Sequence, residues 1–261
     1  MQTTNTNPGS ETEPRSLLQT VLGDGDTCYP PTRNSLLVEV KAGDDEKRFT
    51  ALSELCRIYW YPVYSTARKC GCPTQDAADL TQELFRRLVK NDGFASIQKE
   101  RGRLRAYLRT SVKHLCQEKY RRETAGKRIP DRVLYPIDAE EGDARYLREK
   151  LSGGEAPDTH FDRMWIQALL REVENRLAEE FSHGPMKARF EALRPYIMDG
   201  SAKIGYAELA AKLGVKEGTL KTSLSRLRSR FREAFRAEVA HIVSGEDAVE
   251  EEIRSLLSAF T

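Results

Sequence analysis

The chain has 261 residues, of which 31% are charged and 8% aromatic, and its formal net charge is +2. No apolar run approaches the roughly 18 residues of a membrane span, and the N-terminus lacks the basic-then-apolar order of a signal peptide, so we expect a cytoplasmic protein without a membrane partner. Its five cysteines are scattered and odd in number, which fits a reducing compartment better than a disulfide framework.

Five segments differ in composition along the chain. Residues 1–31 are rich in Thr, Asn, Gly, Pro and Glu, which predicts a disordered tail. Helical periodicity runs over residues 32–127, and residues 128–160 carry prolines, acids and a glycine pair typical of a linker. Periodicity returns over residues 161–243, and residues 244–261 form an acidic tail with a short helix. No strand pattern is present, so we predict an all-α protein with two helical domains joined by a linker.

An amphipathic helix is predicted over residues 76–89. Apolar residues spaced three or four apart give it one core-facing stripe, made of Ala77, Leu80, Leu84 and Leu88. Another side carries acidic, amide and basic groups, namely Asp76, Asp79, Gln82, Glu83 and Arg86. Because a carboxylate row does not bind phosphate, this side is a candidate surface for a protein partner with basic residues. The alternative is the solvated face that any amphipathic helix exposes.

A basic segment follows, with twelve lysines and arginines against four acids between Lys99 and Arg132. It combines a loop carrying Phe94, Gln98, Lys99 and Arg101 with a helix that begins near Leu104. We expect the helix to point a set of cations outward or to its flanks: Arg105, Arg109, Lys113, Arg121 and Arg122. With Tyr107 and Tyr120 interleaved, this segment is a candidate for binding single-stranded nucleic acid. The alternative is a helix with core aromatics and a solvated basic face.

The stretch from Tyr206 to Phe231 predicts a helix-turn-helix with a glycine turn at Gly214. In the second helix an apolar stripe faces the core, formed by Leu220, Leu224, Leu227 and Phe231. The opposite side carries groups that bind base edges or phosphates: Thr219, Lys221, Thr222, Ser225, Arg226, Ser229 and Arg230. Such a helix fits a major groove, and the alternative is an ordinary helical hairpin.

Catalytic and metal-binding patterns are weak. Cys70, Cys72, His114 and Cys116 include zinc-ligand types, but Cys-x-Cys is not the usual Cys-x-x-Cys pair, and plain packing is the favoured interpretation. We find no phosphate loop, nucleophile elbow or metalloprotease motif. We therefore predict no cofactor, no metal and no enzymatic activity. A nucleic-acid-processing enzyme would instead show metal-dependent cleavage or modification of DNA.

Four stretches in this order resemble the bacterial RNA polymerase sigma factors of the extracytoplasmic-function type. They are LCRIYWYPVYSTARKCG (55–71), DAADLTQELFRRLV (76–89), RLRAYLRTSVKHLCQEKYRR (103–122) and YAELAAKLGVKEGTLKTSLSRLR (206–228). The resemblance covers roughly Thr32 to Arg236. It implies a region 2-like domain over 32–127, a linker and a region 4-like helix-turn-helix domain over 161–243, in a monomer that directs transcription initiation.

The resemblance also implies roles for particular residues. The helix containing Asp79, Leu80, Gln82 and Glu83 matches the one that docks on the clamp helices of the largest polymerase subunit. Residues 94–122 match the part that melts the minus-ten element and captures non-template bases. Residues from Glu217 to Arg230 match the helix that reads the minus-thirty-five element. Core RNA polymerase and promoter DNA are therefore the implied partners.

Several features depart from the family pattern. His114 stands where these proteins often have asparagine, the loop before the basic helix is longer than usual, and residues 179–201 are extended. These departures concern promoter sequence and regulation, and an anti-sigma factor is a candidate further partner. The alternative function is a stand-alone helix-turn-helix regulator, which would typically dimerise on two related half-sites.

Overall fold

The structure, a computed structural model, describes residues 45–90, 104–124, 139–149, 155–183, 185–198, 204–243 and 246–258. Within these residues the chain forms ten helices and no strand, which confirms the predicted all-α class. The helices are α1 (Asp45–Lys69), α2 (Thr74–Lys90), α3 (Leu104–Thr124), α4 (Ala139–Glu149), α5 (Pro157–Glu180), α6 (Pro185–Leu193), α7 (Pro195–Met198), α8 (Tyr206–Lys212), α9 (Glu217–Ile242) and α10 (Glu246–Ser258). No helix in this part of the chain is long and apolar enough to cross a membrane.

The first three helices pack on one another, and α4 packs on α1 and α2. Their contact faces are the stripes read from the sequence: Ala77, Leu84 and Leu88 of α2 are all buried, as are Leu104 and Leu108 of α3. Between α1 and α2 the chain turns at Gly71, whose φ of 94° lies in the region that glycine adopts without strain. The turn lets two long helices fold back against the same third helix.

An aromatic stack joins α1 to α5. The rings of Tyr59 and Trp165 are parallel within 9°, with centroids 3.9 Å apart, and both side chains are buried. Phe161, one turn earlier on α5, stacks on Trp165 at 5.7 Å. Large aromatics bury more apolar area than any other side chains, so this stack anchors the first part of α5 to the α1 core.

The described helices separate into two compact units. One contains Arg176–Ala234, and the other contains the residues up to Asn175 together with those from Phe235 onward. The divisions therefore fall inside α5 and α9 rather than at 128–160 and 244. The difference arises because apolar residues of α5 and α10, such as Phe161, Trp165 and Ile253, are buried in the unit that holds α1 to α3. The functional domain limits given above stay predictions.

The turn between α8 and α9 has the hydrogen bonds of a Schellman motif. The Val215 N–H donates to the Ala210 carbonyl at 3.0 Å, and the Gly214 N–H donates to the Ala211 carbonyl at 3.2 Å. Gly214 has a φ of 65°. The short helix, glycine turn and long helix therefore follow one another as the sequence predicts, with Leu220, Leu224, Leu227 and Phe231 buried.

We expect Gly214→Ala to lower the free energy of unfolding by about 1–2 kcal/mol, because a Cβ in the left-handed region meets the following carbonyl. Gly218→Ala is the matched control, since Gly218 lies in the first turn of α9 with open space around the added Cβ. That change should be neutral or stabilising by about 0.5–1 kcal/mol. Urea titrations of the two variants measure both effects, and equal effects of the two would contradict the assigned turn.

Candidate functional site

The row of polar groups on α2 is only partly exposed. Asp79 is exposed, and Gln82 and Glu83 are half-buried. Gln75 donates a hydrogen bond to the Asp79 carboxylate at 3.3 Å. Leu80 was predicted to belong to the docking surface, but its side chain is buried in the core and does not reach this surface. Asp79 is the most accessible carboxylate of the row.

Glu83 is held by two arginines of its own helix. Arg86 Nε donates to Glu83 Oε2 and Arg87 Nε donates to Glu83 Oε1, each at 2.6 Å. Burial alone would raise the pKa of Glu83, but these bonds and charges outweigh it and lower the pKa. Asp76 is paired with Lys119 Nζ of α3 at 3.1 Å. The row is therefore a mixed surface with net negative charge at Asp79, not a run of unpaired acids.

Arg105 contradicts the expectation that it points outward from α3. Its side chain is buried, with Nε 2.5 Å from Glu252 Oε1 and Nη1 2.7 Å from Asp162 Oδ1. Nη2 donates to Ser255 Oγ at 2.7 Å. Burial acts to lower the pKa of Arg105, but the two carboxylates outweigh it and raise the pKa further. Three of its nitrogens are thus satisfied inside the protein, and Arg105 is a structural residue in this conformation.

Two further cations of α3 also meet acids of α5. Arg109 Nη1 lies 2.7 Å from Asp162 Oδ2, and Lys113 Nζ lies 2.9 Å from Asp158 Oδ2. Both side chains stay partly exposed, at 33% and 40%. The more exposed Lys113–Asp158 pair contributes about 0–1 kcal/mol, so a phosphate group can compete for Lys113, whereas Arg109 pairs with the buried Asp162. The charge on this side of α3 is therefore partly neutralised by its own chain.

The end of α3 presents the accessible part of the predicted single-strand surface. Arg121 is exposed, and the neighbouring Tyr120 is 70% exposed, the largest exposure among the large hydrophobic side chains described. An exposed ring beside cations is a stacking platform for a base. The remaining predicted contacts, namely Phe94, Gln98, Lys99, Arg101 and the side chain of Arg122, lie outside the described residues.

The outer face of α9 carries most of the predicted duplex-contacting residues in exposed positions. These are Glu217, Thr219, Lys221, Thr222, Ser225 and Arg226, whereas Ser229 and Arg230 are half-buried. Lys221 Nζ lies 2.7 Å from Glu217 Oε1, and Thr222 Oγ1 donates to the Gly218 carbonyl at 3.0 Å. The exposed groups occupy the first three turns of the helix, which begin at the glycine turn.

Arg230 is drawn away from this face. Its Nη2 and Nε both lie 2.9 Å from Glu180, and Nη1 lies 3.2 Å from Glu233. The hydrogen bonds that Arg230 donates to Glu180 raise the pKa of Arg230 and hold the guanidinium in place. Of the two arginines predicted on this face, Arg226 is the exposed one.

The acids that pair with the basic helix α3 were not predicted from the sequence. Asp162 sits between the buried Phe161 and Met164, and Glu252 precedes the buried Ile253. A carboxylate on the apolar side of a helix is a signal that a buried cation faces it. The positions of Asp162 and Glu252 in the sequence therefore indicate a buried cation, but not which residue supplies it. The predicted single-strand contacts do not include Tyr120, although its side chain is exposed.

Two of the four residues that include zinc-ligand types lie in contact, since Cys72 Sγ is 3.8 Å from Cys116 Sγ, whereas Cys70 is exposed. His114 is exposed on α3. Among the residues that the structure describes, no group of three or more His, Cys, Asp and Glu is arranged to hold a metal ion. The zinc alternative therefore gains no support.

Comparison with known proteins gives one match. Residues 59–126, which include the last part of α1 and all of α2 and α3, match the family model described as Sigma-70 region 2. No curated protein matches the chain. No solved structure matches it either.

We expect Arg105→Met to lower the free energy of unfolding by about 3–5 kcal/mol, because it leaves Asp162 and Glu252 in the interior without their main cation. Arg121→Met, at the exposed end of the same helix, is the control and should change stability by no more than about 0.5 kcal/mol. Adding Glu252→Met to Arg105→Met should recover part of the loss, since one orphaned carboxylate is removed. Denaturant unfolding of the three variants measures this, and similar losses for Arg105→Met and Arg121→Met would contradict the buried cluster.

Proposed function

We propose that this chain, a sigma-70 family RNA polymerase sigma factor by its region 2, is an initiation factor of the extracytoplasmic-function type. The observation that carries the proposal is the region 2 match over residues 59–126, because these residues hold both the mixed surface of α2 and the basic helix α3. In that family these two helices serve polymerase docking and promoter melting.

Docking on core polymerase is assigned to the exposed side of α2. Its accessible carboxylate, Asp79, lies beside the half-buried Gln82 and Glu83. A carboxylate at the rim of an interface attracts a basic partner and sets the orientation of docking. Because Arg86 and Arg87 hold Glu83 in place, the docking surface is preorganised, and Asp79 is its most exposed carboxylate.

Contact with promoter DNA is assigned to two surfaces. At the end of α3, Tyr120 and Arg121 supply an exposed ring and a cation for bases flipped out of the minus-ten element. On α9, Thr222, Ser225 and Arg226 supply hydrogen-bonding groups and charge for the minus-thirty-five duplex. Two surfaces on one chain allow the two elements to be read together once polymerase holds the chain.

No chemistry is assigned to the chain itself. Phosphodiester synthesis belongs to the polymerase, and this chain contributes recognition and strand capture as a cytoplasmic monomer. The stand-alone regulator described above differs in needing no polymerase, so polymerase binding separates the two functions.

We expect Asp79→Lys to weaken binding to core RNA polymerase by roughly tenfold or more, because it reverses the available charge on α2. Glu191→Lys makes the same charge change at an exposed position of α6, outside the proposed surface, and should bind as the unchanged chain does. Co-purification of tagged full-length chain with core polymerase, followed by a titration, measures both. Equal binding of the two variants would exclude the α2 surface, and no binding by the unchanged chain would favour the stand-alone regulator.

We expect Arg226→Ala to weaken duplex binding of the full chain and to reduce the salt slope, d log K/d log[salt], by about one unit if the guanidinium contacts phosphate. Lys187→Ala removes an exposed cation from α6 and is the charge-matched control, expected to leave the slope unchanged. Fluorescence anisotropy with labelled duplex DNA over a salt series gives both slopes. An unchanged affinity and slope for Arg226→Ala would remove it from the contact.

A further inference from the structure

Three of the five cysteines meet where the α1–α2 turn packs on α3. Cys72, at the end of the turn, and Cys116, on α3, are both buried, with their sulfur atoms 3.8 Å apart. Cys70 lies at the other end of the turn, is exposed to solvent, and hydrogen-bonds Cys116. The Cys116 sulfur therefore contacts the buried Cys72 thiol and also lowers the pKa of the accessible Cys70 thiol.

The two ends of this arrangement differ in reactivity. The hydrogen bond from Cys116 is the main cause that lowers the pKa of Cys70 to about 7, with Lys113 acting in the same direction against burial and Asp158. Contacts with Cys70 and Cys72, together with burial, raise the pKa of Cys116. Accessible thiols with low pKa values are the ones that oxidants attack.

We propose that Cys70, Cys72 and Cys116 form an oxidation site in which the exposed Cys70 reacts with a hydroperoxide and the disulfide finally joins Cys72 to Cys116. Cys72 and Cys116 are proposed as the final pair because their sulfur atoms are only 3.8 Å apart. A short side-chain movement brings them to the S–S bond length of about 2.05 Å. The proposal does not depend on the transcriptional function.

The chemistry balances with a hydroperoxide as the oxidant. The Cys70 thiolate attacks the terminal peroxide oxygen, the O–O bond breaks, and two electrons pass from sulfur to the leaving alkoxide, which takes a proton from solvent. Cys116 then attacks the sulfur of the Cys70 sulfenic acid, the S–O bond breaks, and hydroxide leaves with the Cys116 proton as water. In the last step Cys72 attacks Cys116, the first disulfide breaks, and Cys70 leaves with the Cys72 proton. A low-pKa thiol such as Cys70 is the better leaving group.

The chain contains its own control for this reaction. Cys56 on α1 is half-buried, and burial raises the pKa of its thiol to about 12, so it should stay reduced under the same treatment. The fifth cysteine, Cys28, lies outside the described residues and is removed by Cys28→Ser. In that background every disulfide must come from Cys56 or from the three clustered thiols.

The test uses the full-length Cys28→Ser chain treated with stoichiometric hydrogen peroxide at neutral pH. Alkylation of the remaining thiols, proteolysis and mass spectrometry should find Cys72 joined to Cys116, with Cys70 and Cys56 alkylated. Cys70→Ser should slow disulfide formation by roughly tenfold or more, since the thiols that remain are buried or half-buried and less accessible to the peroxide. The rate in the Cys28→Ser chain should also fall about tenfold for each pH unit well below 7, as Cys70 becomes protonated.

Specific results would overturn the proposal. A Cys70–Cys72 disulfide would exclude the proposed pair, and an unchanged rate in Cys70→Ser would exclude Cys70 as the attacking thiol. Cys70 is exposed, so its replacement should not disturb the fold, which circular dichroism checks. Cys116→Ala provides a second arm: the Cys70 sulfenic acid should then accumulate and react with dimedone, and no dimedone adduct on Cys70 would contradict the first step.

Discussion

The ion pairs of the Arg105 guanidinium are the interactions on which the unit that holds α1 to α3 depends. An arginine stays charged at any pH that a folded protein experiences, so its burial requires anions around it. Asp162 and Glu252 supply them, from α5 and α10, and Ser255 accepts a further hydrogen bond. One side chain of α3 therefore fixes the positions of two helices that are distant in sequence.

A buried ion cluster of this kind specifies position more than it adds stability. Apolar side chains of the same size would avoid the desolvation of three charges, whereas removal of one member leaves the others uncompensated. The surrounding apolar contacts, including Ile253 and Leu256 of α10, supply the favourable burial. The charges then allow only the register in which Glu252 reaches Arg105. A residue that looked like a nucleic-acid contact is thus a part of the fold.

Acids from other helices also neutralise part of the charge that the basic segment offers to nucleic acid. Counted along the sequence, cations exceed acids by twelve to four between Lys99 and Arg132. In the folded chain Arg105, Arg109 and Lys113 each meet a carboxylate from another helix. A local charge count overstates the field at a surface when the neutralising groups come from elsewhere in the chain. Among the cations of this segment that the structure describes, Arg121 at the end of α3 is exposed.

The helices could be predicted from the sequence because their signals are local. Repeats of three and four place Leu220, Leu224 and Leu227 on one buried side of α9, and a glycine marks the turn before it. The partners of Arg105 could not be predicted, since they lie 57 and 147 residues away and either acid could have been solvated. Local periodicity states which side of a helix is buried, but not which helix covers it.

The two ends of helix α9 are buried to different extents. Up to Leu227 a single apolar stripe is buried, and the opposite side, with Thr222 and Arg226, is exposed. From Ala234 onward the buried set widens to adjacent positions, Phe235 among them, and it includes the carboxylate-bearing Glu238. A helix buried on more than one side has no room for a duplex beside it. The duplex contact proposed for α9 is therefore limited to its N-terminal turns, where the N–H groups of the helix end also favour phosphate.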